Sequence, residues 1–316
     1  IIARAKPSLP CAIMRKIFRN TPFIYFPYDI RSESSPSREH AKQSGLSDLE
    51  IDSEKFCFEK ADGIIHKGAP DELTFLEGRI FKKINFAPLQ LMFLPYCTRE
   101  FAVPLNKEKL SKKDKEIHTV QISSVSSANL EECSFLFDYF KAITDQKMHI
   151  HLYTKPNTLF KEEILNSFKK IYGNIMDPKY FHLHDPKDPK EIVKEISQFD
   201  YGMVIPNPKA QCKDKLEGRF AIGNKTSSYL EAGIPFFYPI DIKGNFIDQV
   251  MTKYGMSLPI VDIENIAKMK RIIKKINYKE LEKKIILARK DFLMEKHFPA
   301  LEEFIRKVVN KKKSHS

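Results

Sequence analysis

The five cysteines, Cys11, Cys57, Cys97, Cys133 and Cys212, are odd in number, far apart and form no C-x-x-C pair. That argues against a disulfide framework or a zinc cluster and for a reducing compartment. No apolar run approaches the roughly 20 residues that a membrane-spanning helix needs. No signal peptide opens the chain, which starts at Ile1 without an initiator methionine and so reads as a fragment or a trimmed piece. No Asp-x-Asp occurs to hold a metal–diphosphate. Asp48, Glu50 and Asp52 alternate, but as the acidic first turn of a helix, where they offset the helix dipole.

What the chain does have is apolar material and positive charge. Its 316 residues are 42% hydrophobic and 11% aromatic, enough for a real core and for one large or two medium α/β domains. The formal net charge is +12, and positions 266–316 alone hold 16 Lys/Arg against 6 Asp/Glu. A basic patch suits nucleic acid, an anionic membrane face or a merely solvated helix surface. No RNA-binding signature with interleaved aromatics accompanies it, so no nucleic acid is expected, and an anionic membrane surface stays as the candidate partner.

Two α/β segments follow one another. In the first, positions 22–27 read as an apolar strand, a Ser/Pro/charge-rich loop covers 34–47, and Leu49 to Lys60 reads as a helix. Positions 62–67 are strand-like, 70–82 read as a helix and 89–94 as another strand, a βαβαβ rhythm that predicts a parallel sheet. Positions 106–116, polar and with five lysines, suit a linker. Beyond it, strands are expected at 118–122, 149–153, 180–184, 201–205 and 235–238, with helices at 130–143, 161–172 and 189–198 between them. Such alternation builds a doubly wound sheet that binds ligands beyond its strand C-termini. Phe298 to Val309 carries Phe298, Leu301, Phe304, Ile305, Val308 and Val309 on one helical stripe, an amphipathic helix that needs a partner surface, core or membrane.

The stretch Gly223 to Phe237 joins a tight loop, a two-turn helix and a buried strand. Asn224 reads as the N-cap, and Gly233 with Pro235 as the stop. A helix start with small residues inside it leaves N–H groups free for an anion such as a diphosphate. Lys225, beside Thr226 and Ser227, adds a cation. Glu231 lies one to two turns along, where a carboxylate can accept from sugar or ribose hydroxyls. An ordinary capped helix and surface side chains explain the same residues.

Four stretches together resemble the GT-B nucleotide-sugar glycosyltransferases, especially those that build cell-surface polysaccharides. They are Thr21–Glu33 (a strand and its loop), Phe58–His66 (a helix, then Ala-Asp-Gly-Ile-Ile), Ile192–Gly202 (a helix, then Asp-Tyr-Gly) and Asn224–Pro235 (Asn-Lys-Thr-Ser-Ser-Tyr-Leu-Glu-Ala-Gly-Ile-Pro). The resemblance implies an α/β chain of two Rossmann-like, doubly wound domains facing across a cleft, with the C-terminal helix crossing back to the N-terminal domain. The expected division is 1–105 for a partial acceptor-side domain, 106–117 for a linker, 118–290 for the nucleotide-sugar domain and 291–316 for an amphipathic helix with a basic tail. The first strand of the N-terminal domain is expected to lie upstream of Ile1.

The resemblance also implies residue roles. Lys225, Thr226, Ser227 and Asn224 would bind the donor's diphosphate, and Glu231 its ribose. Ser123 and Ser124 stand where relatives carry a glycine-rich phosphate turn; serine donates hydrogen bonds but no charge, and Lys155 is the candidate to supply the cation. His184 falls where relatives line the base pocket, although a plain loop histidine fits equally. Asp29 is the candidate general base on the acceptor hydroxyl, or else an Asx-turn; Arg31 and Glu33 are acceptor-side candidates, and His66 reads as structural. Gly223 stands where many relatives carry a glutamate, and Glu217 is out of register for it. No metal or other cofactor is expected, the partners being a nucleotide-sugar and a saccharide or lipid-linked acceptor at the cytoplasmic membrane face. A GT-B-fold epimerase or hydrolase, an inactive relative and a basic binding protein are the alternatives.

Overall fold

The computed structural model describes residues 1–4, 7–27, 30, 32, 35, 37–68, 72–123, 135–154, 158–173, 177–205, 222–238, 246–254 and 266–314. The chain divides into two compact units, one built on Ile1–Tyr96 with Met294–Ser316, the other on Cys97–Lys209 with Gly223–Leu293.

The first unit begins β1 (Ile2–Ala3), α1 (Leu9–Ile17), β2 (Ile24–Tyr25), α2 (Arg38–Gln43), α3 (Asp48–Lys60), β3 (Gly63–His66) and β4 (Gln90–Met92). Its sheet runs β1-β2-β3-β4 with every pair parallel, so the strand order never reverses among the described residues. The Ser47 hydroxyl accepts from the Glu50 N–H at 3.1 Å and so caps the start of α3. After α3, Asp62 ties β2 to β3, its carboxylate accepting from the Phe23 N–H (2.9 Å) and its own N–H donating to the Phe23 carbonyl (2.8 Å). Phe23, Tyr25, Ile51, Phe58 and Ile64 fill the core below.

The helix expected over 70–82 is not there. Thr74–Leu76 makes only a 3₁₀ turn, and Gly78 takes φ +77°, which ends any helix. Glu72 instead bends back, accepting from the Gly68 N–H and pairing with His66 Nδ1, both at 3.0 Å. His66 is thus a buried, satisfied structural group.

The second unit holds β5 (His118–Ile122) after a short α4 (Ser111–Asp114), then α5 (Phe135–Thr144), β6 (His149–Tyr153), α6 (Thr158–Tyr172), β7 (Phe181–His184), α7 (Pro189–Ile196), β8 (Tyr201–Met203), α8 (Asn224–Ala232), β9 (Phe236–Phe237), α9 (Phe246–Thr252), α10 (Met269–Ile273) and α11 (Tyr278–Asp291). Its all-parallel sheet has the order β7-β6-β5-β8-β9. One face is aliphatic and aromatic, with Ile150, Leu152, Phe181, Tyr201, Met203 and Phe237 packed against Phe137, Phe140 and Phe168. Positions 106–116 do not behave as a loose connector. Lys109 is buried, and its ammonium donates to the carbonyls of Ser197 (2.8 Å) and Phe199 (2.9 Å) just beyond α7. Burial lowers its pKa to about 8.

The chain ends in α12 (Phe298–Lys313), which belongs to the first unit. Its stripe lies on the sheet: Phe304 and Val308 are buried with Ile24 of β2 and Ile65 of β3, flanked by Leu301 and Ile305. Gly63 makes this approach possible, because a Cβ there would stand 2.6 Å from the Val308 Cγ2 and 2.8 Å from the Phe304 ring. The middle of the stripe therefore packs in a protein core, with Phe298 at its start left exposed, while its polar side carries the pairs Arg306–Glu302 (3.2 Å) and Lys307–Glu303 (2.6 Å). Phe304→Ala is expected to destabilise the first unit by about 3–5 kcal/mol through lost burial and a residual cavity. Glu302→Ala should stay within about 0.5 kcal/mol. Urea denaturation followed by circular dichroism checks both.

Candidate functional site

In an open parallel sheet, ligands bind outside the strand carboxyl ends where the strand order reverses. The second unit has that reversal between β5 and β8. One side chain closes the two strands there. The Tyr229 hydroxyl, fully buried, donates to the Met203 carbonyl (2.8 Å), lies 3.2 Å from the Val120 carbonyl and accepts from the Ile122 N–H (3.3 Å). Gly202 is what admits the ring, since a Cβ at that position would stand 2.6–2.7 Å from it. Asp200, two residues earlier, accepts from the His118 N–H (2.8 Å) and the Ser111 hydroxyl (2.5 Å). The Asp-Tyr-Gly stretch thus has a physical content: the carboxylate fixes the start of β5, and the glycine makes room for Tyr229.

Helix α8 starts at this point. Its cap is Gly223 with extended backbone, one position before the Asn224 that the sequence suggests for the cap, and Asn224 is the first helical residue. Gly223 has no side chain to satisfy the helix's first donors, so no side-chain cap bond forms and the start keeps its anion-binding character. Lys225 is half-buried against the end of β5. With the Gln121 amide turned so that its NH2 donates to the Met203 carbonyl (2.6 Å), its oxygen accepts from the Lys225 ammonium at 3.1 Å. Thr226 is buried, and its Oγ1 has no hydrogen-bond partner among the described residues. Ser227 is buried, and its carbonyl accepts from the Cys97 thiol at 3.7 Å.

Glu231 faces inward, 5% exposed. Its carboxylate accepts from the Thr98 N–H at 2.6 Å, while its backbone carbonyl accepts from Val103 at 3.0 Å. Burial pushes the Glu231 carboxyl up from its ordinary pKa, against the opposing pull of the Thr98 bond and the Arg289 charge. Arg289 of α11 donates to the carbonyls of Leu230 (2.7 Å) and Val103 (2.6 Å), gripping the end of the same helix. Gly233 closes α8 in the left-handed region at φ +70°, with Arg289 packed where a Cβ would be.

The structure therefore brings together Asn224, Lys225, Thr226 and Ser227 on the start of α8, with Ser123 at the end of β5. The Ser123 N–H is spent on the Tyr153 carbonyl (3.1 Å). His184 stands apart, on β7 at the edge of the sheet, its Nε2 on His151 Nδ1 (2.9 Å) and its ring stacked on Tyr153. Asp29, Arg31, Glu33, Ser124, Lys155 and Glu217 lie outside the described residues. Gln121, Tyr229, Thr98 and Arg289 escaped the sequence reading. Only Gln121, a lone amide in an apolar strand, carried a local signal.

No protein-family model matches the chain, and no curated protein matches it. Solved structures do. A sucrose-phosphate synthase from Thermosynechococcus elongatus superposes with TM-score 0.69 at 11% identity, covering 98% of this chain and 73% of that one. An α,α-trehalose 6-phosphate synthase from Burkholderia multivorans gives 0.64 at 11% identity, over 98% and 72%. An E. coli trehalose-6-phosphate structure bound with UDP-2-fluoro glucose gives 0.62 at 12% identity, over 99% and 72%. The fold is that of the GT-B glycosyltransferases.

Within this GT-B fold two substitutions test the geometry. Tyr229→Phe leaves the Met203 carbonyl and Ile122 N–H without their buried partner, an expected loss of about 1–3 kcal/mol measured by urea denaturation. For Glu231 the folded-state pKa is raised, so its stabilising contribution is complete below the unfolded pKa and is lost as pH rises through the folded value. Glu231→Gln keeps an acceptor for Thr98 without the buried charge. It should melt at or above the wild type near pH 7, with the gap closing towards about pH 4 as the wild-type carboxyl protonates. Melting curves across that range check it.

Proposed function

We propose that the chain is a glycosyltransferase that takes a sugar from a nucleotide-sugar donor, with the diphosphate held at the start of α8. The observation that carries this reading is the Lys225 ammonium, placed by Gln121 at the point where β5 and β8 diverge, beside a helix start with no side-chain cap. A leaving diphosphate needs its charge neutralised and its sugar held in line with the acceptor. Lys225 supplies a full charge, and the first N–H groups of α8 supply oriented dipoles. Thr226 Oγ1 offers an unsatisfied polar atom in the same turn. A uridine diphosphate sugar is the favoured donor, because similar folds are those of proteins described as UDP-forming or bound with UDP-2-fluoro glucose.

Glu231 is proposed as a positioning group behind the donor: it holds Thr98 and so fixes the segment that packs along α8. The acceptor is proposed to be a saccharide or a lipid-linked saccharide of surface-polysaccharide synthesis, and Asp29 its general base. The excess of lysine and arginine in positions 266–316 supports work at an anionic, cytoplasmic membrane face. The diphosphate needs no metal in this scheme, since Lys225 and the helix start meet its charge.

A thermal-shift series with UDP-, GDP-, ADP- and CMP-sugars tests the donor site. The UDP-sugar should raise the melting temperature, because a ligand that binds the native state stabilises it. Lys225→Ala should weaken that binding by about 10- to 100-fold, as loss of a charge-assisted bond worth about 1.5–3 kcal/mol requires. Equal shifts in wild type and variant would remove Lys225 from the site. Donor turnover without any acceptor would favour a hydrolase or epimerase over a transferase.

A further inference from the structure

We propose that the amino-terminal edge of the second unit's sheet binds one divalent transition-metal ion, with Zn²⁺ as its best fit, through His118, His149 and Asp114. Register places the histidines. His118 pairs with His149 and His151 with His182, so four imidazoles share one sheet face, and His184 follows beside Tyr153. The opposite face is the apolar core.

The rings form two rows joined Nδ1 to Nε2. His118 Nδ1 meets His151 Nε2 at 3.0 Å, His151 Nδ1 meets His184 Nε2 at 2.9 Å, and His149 Nδ1 meets His182 Nε2 at 2.9 Å. Both rows end with an Nε2 turned to a carboxylate, and the two terminal rings are stacked with centroids 4.1 Å apart, so one ring turns when both in-plane lone pairs take the same ion. The His118 Nε2 meets Asp114 Oδ2 at 2.9 Å, and the His149 Nε2 stands 3.7 Å from that same oxygen and 2.7 Å from Glu116 Oε2. A tetrahedral zinc with bonds of about 2.0–2.1 Å sets its ligand atoms about 3.3 Å apart, inside that spread. The donor atoms of Asp114, His118 and His149 all lie within 4.8 Å of one another.

The second imidazole in each row lies on the Nδ1 of a candidate ligand, where it can accept from that ring and hold its orientation.

The carboxylates are set for the task. Lys115 between them takes φ +65°, a left-handed backbone uncommon outside glycine. Asp114 Oδ1 accepts from the Glu116 N–H (2.9 Å), which turns Oδ2 to the imidazoles, and Lys179 balances the other Glu116 oxygen at 3.1 Å. The cysteines argue against a zinc cluster, and this site uses none of them. This edge is also the opposite end of the strands from Lys225, so the ion would clamp α4 to β5 and β6 and take no part in sugar transfer. The inference stands or falls independently of the donor reading.

The test is calorimetric titration of ZnCl₂ into the untagged 316-residue chain freed of metal by chelator. One equivalent per chain should bind with a micromolar or tighter Kd, and Mg²⁺ should not bind, since it prefers an all-oxygen octahedral shell. His149→Gln and Asp114→Asn should each weaken Zn²⁺ at least about 10-fold, the lower end of what altering a zinc site's surroundings costs. Asp114 is largely on the surface, so its variant keeps the test valid if the histidine variant fails to fold. No saturable Zn²⁺ binding to the wild type, or binding that neither variant weakens, overturns the proposal and leaves a hydrogen-bonded histidine network.

Discussion

The Tyr229 hydroxyl is the contact on which the second unit depends. Parallel pairing between β5 and β8 covers only Thr119 with Tyr201 and Val120 with Gly202, and the strands then part. A phenol reaching the Met203 carbonyl and the Ile122 N–H from the helix below takes over where the ladder stops. The same residue anchors α8 by its ring, so the helix start and the strand ends are positioned together. Lys225, four residues before Tyr229, inherits its place from that anchoring.

The two faces of this sheet are chemically unlike. One packs Ile150, Leu152, Phe181 and Met203 into an apolar core. The other carries histidines, Tyr153 and Gly202, covered by groups that can meet them: Phe199 stacks on His151 at 4.2 Å, and Glu195 of α7 accepts from the Tyr153 hydroxyl at 2.6 Å. A polar face beneath helices is tolerable only when its donors and acceptors pair, because an unpaired buried polar group costs about 1–3 kcal/mol. The imidazole rows meet that condition along their length, and at their ends Asp114 faces His118 at 2.9 Å and Glu116 faces His149 at 2.7 Å. Among the described residues of the first unit the sheet order never reverses, and Asp62 and the His66–Glu72 pair are spent on structure.

Much of this was legible in the sequence. The strands 118–122 and 149–153 coincide with the observed β5 and β6, and α3 and α12 begin within a residue of where their caps and stripes predict. The Ser47 cap marks α3 and the apolar stripe marks α12, so local chemistry decides them. Positions 70–82 misled because Leu73, Leu76, Ile80 and Phe81 have helical spacing. Gly78 and the turning back of Glu72 onto His66 overrode it. β1 and α1 were missed, the strand being only two residues long and the helix having no side-chain cap.

By itself the sequence determined the alternation of strands and helices, the amphipathic stripe of α12 and the helix-with-lysine motif of α8. These follow from periodicity and capping, which act within a few residues. Only the tertiary structure decided that Gly202 exists to admit Tyr229, that Glu231 turns inward to Thr98, and that α12 lies on β2 and β3. It alone assembled histidines from three strands into one array with Asp114 and Glu116. Parallel pairing joins residues more than thirty positions apart, and strand register, which no local pattern encodes, chooses which side chains share a face.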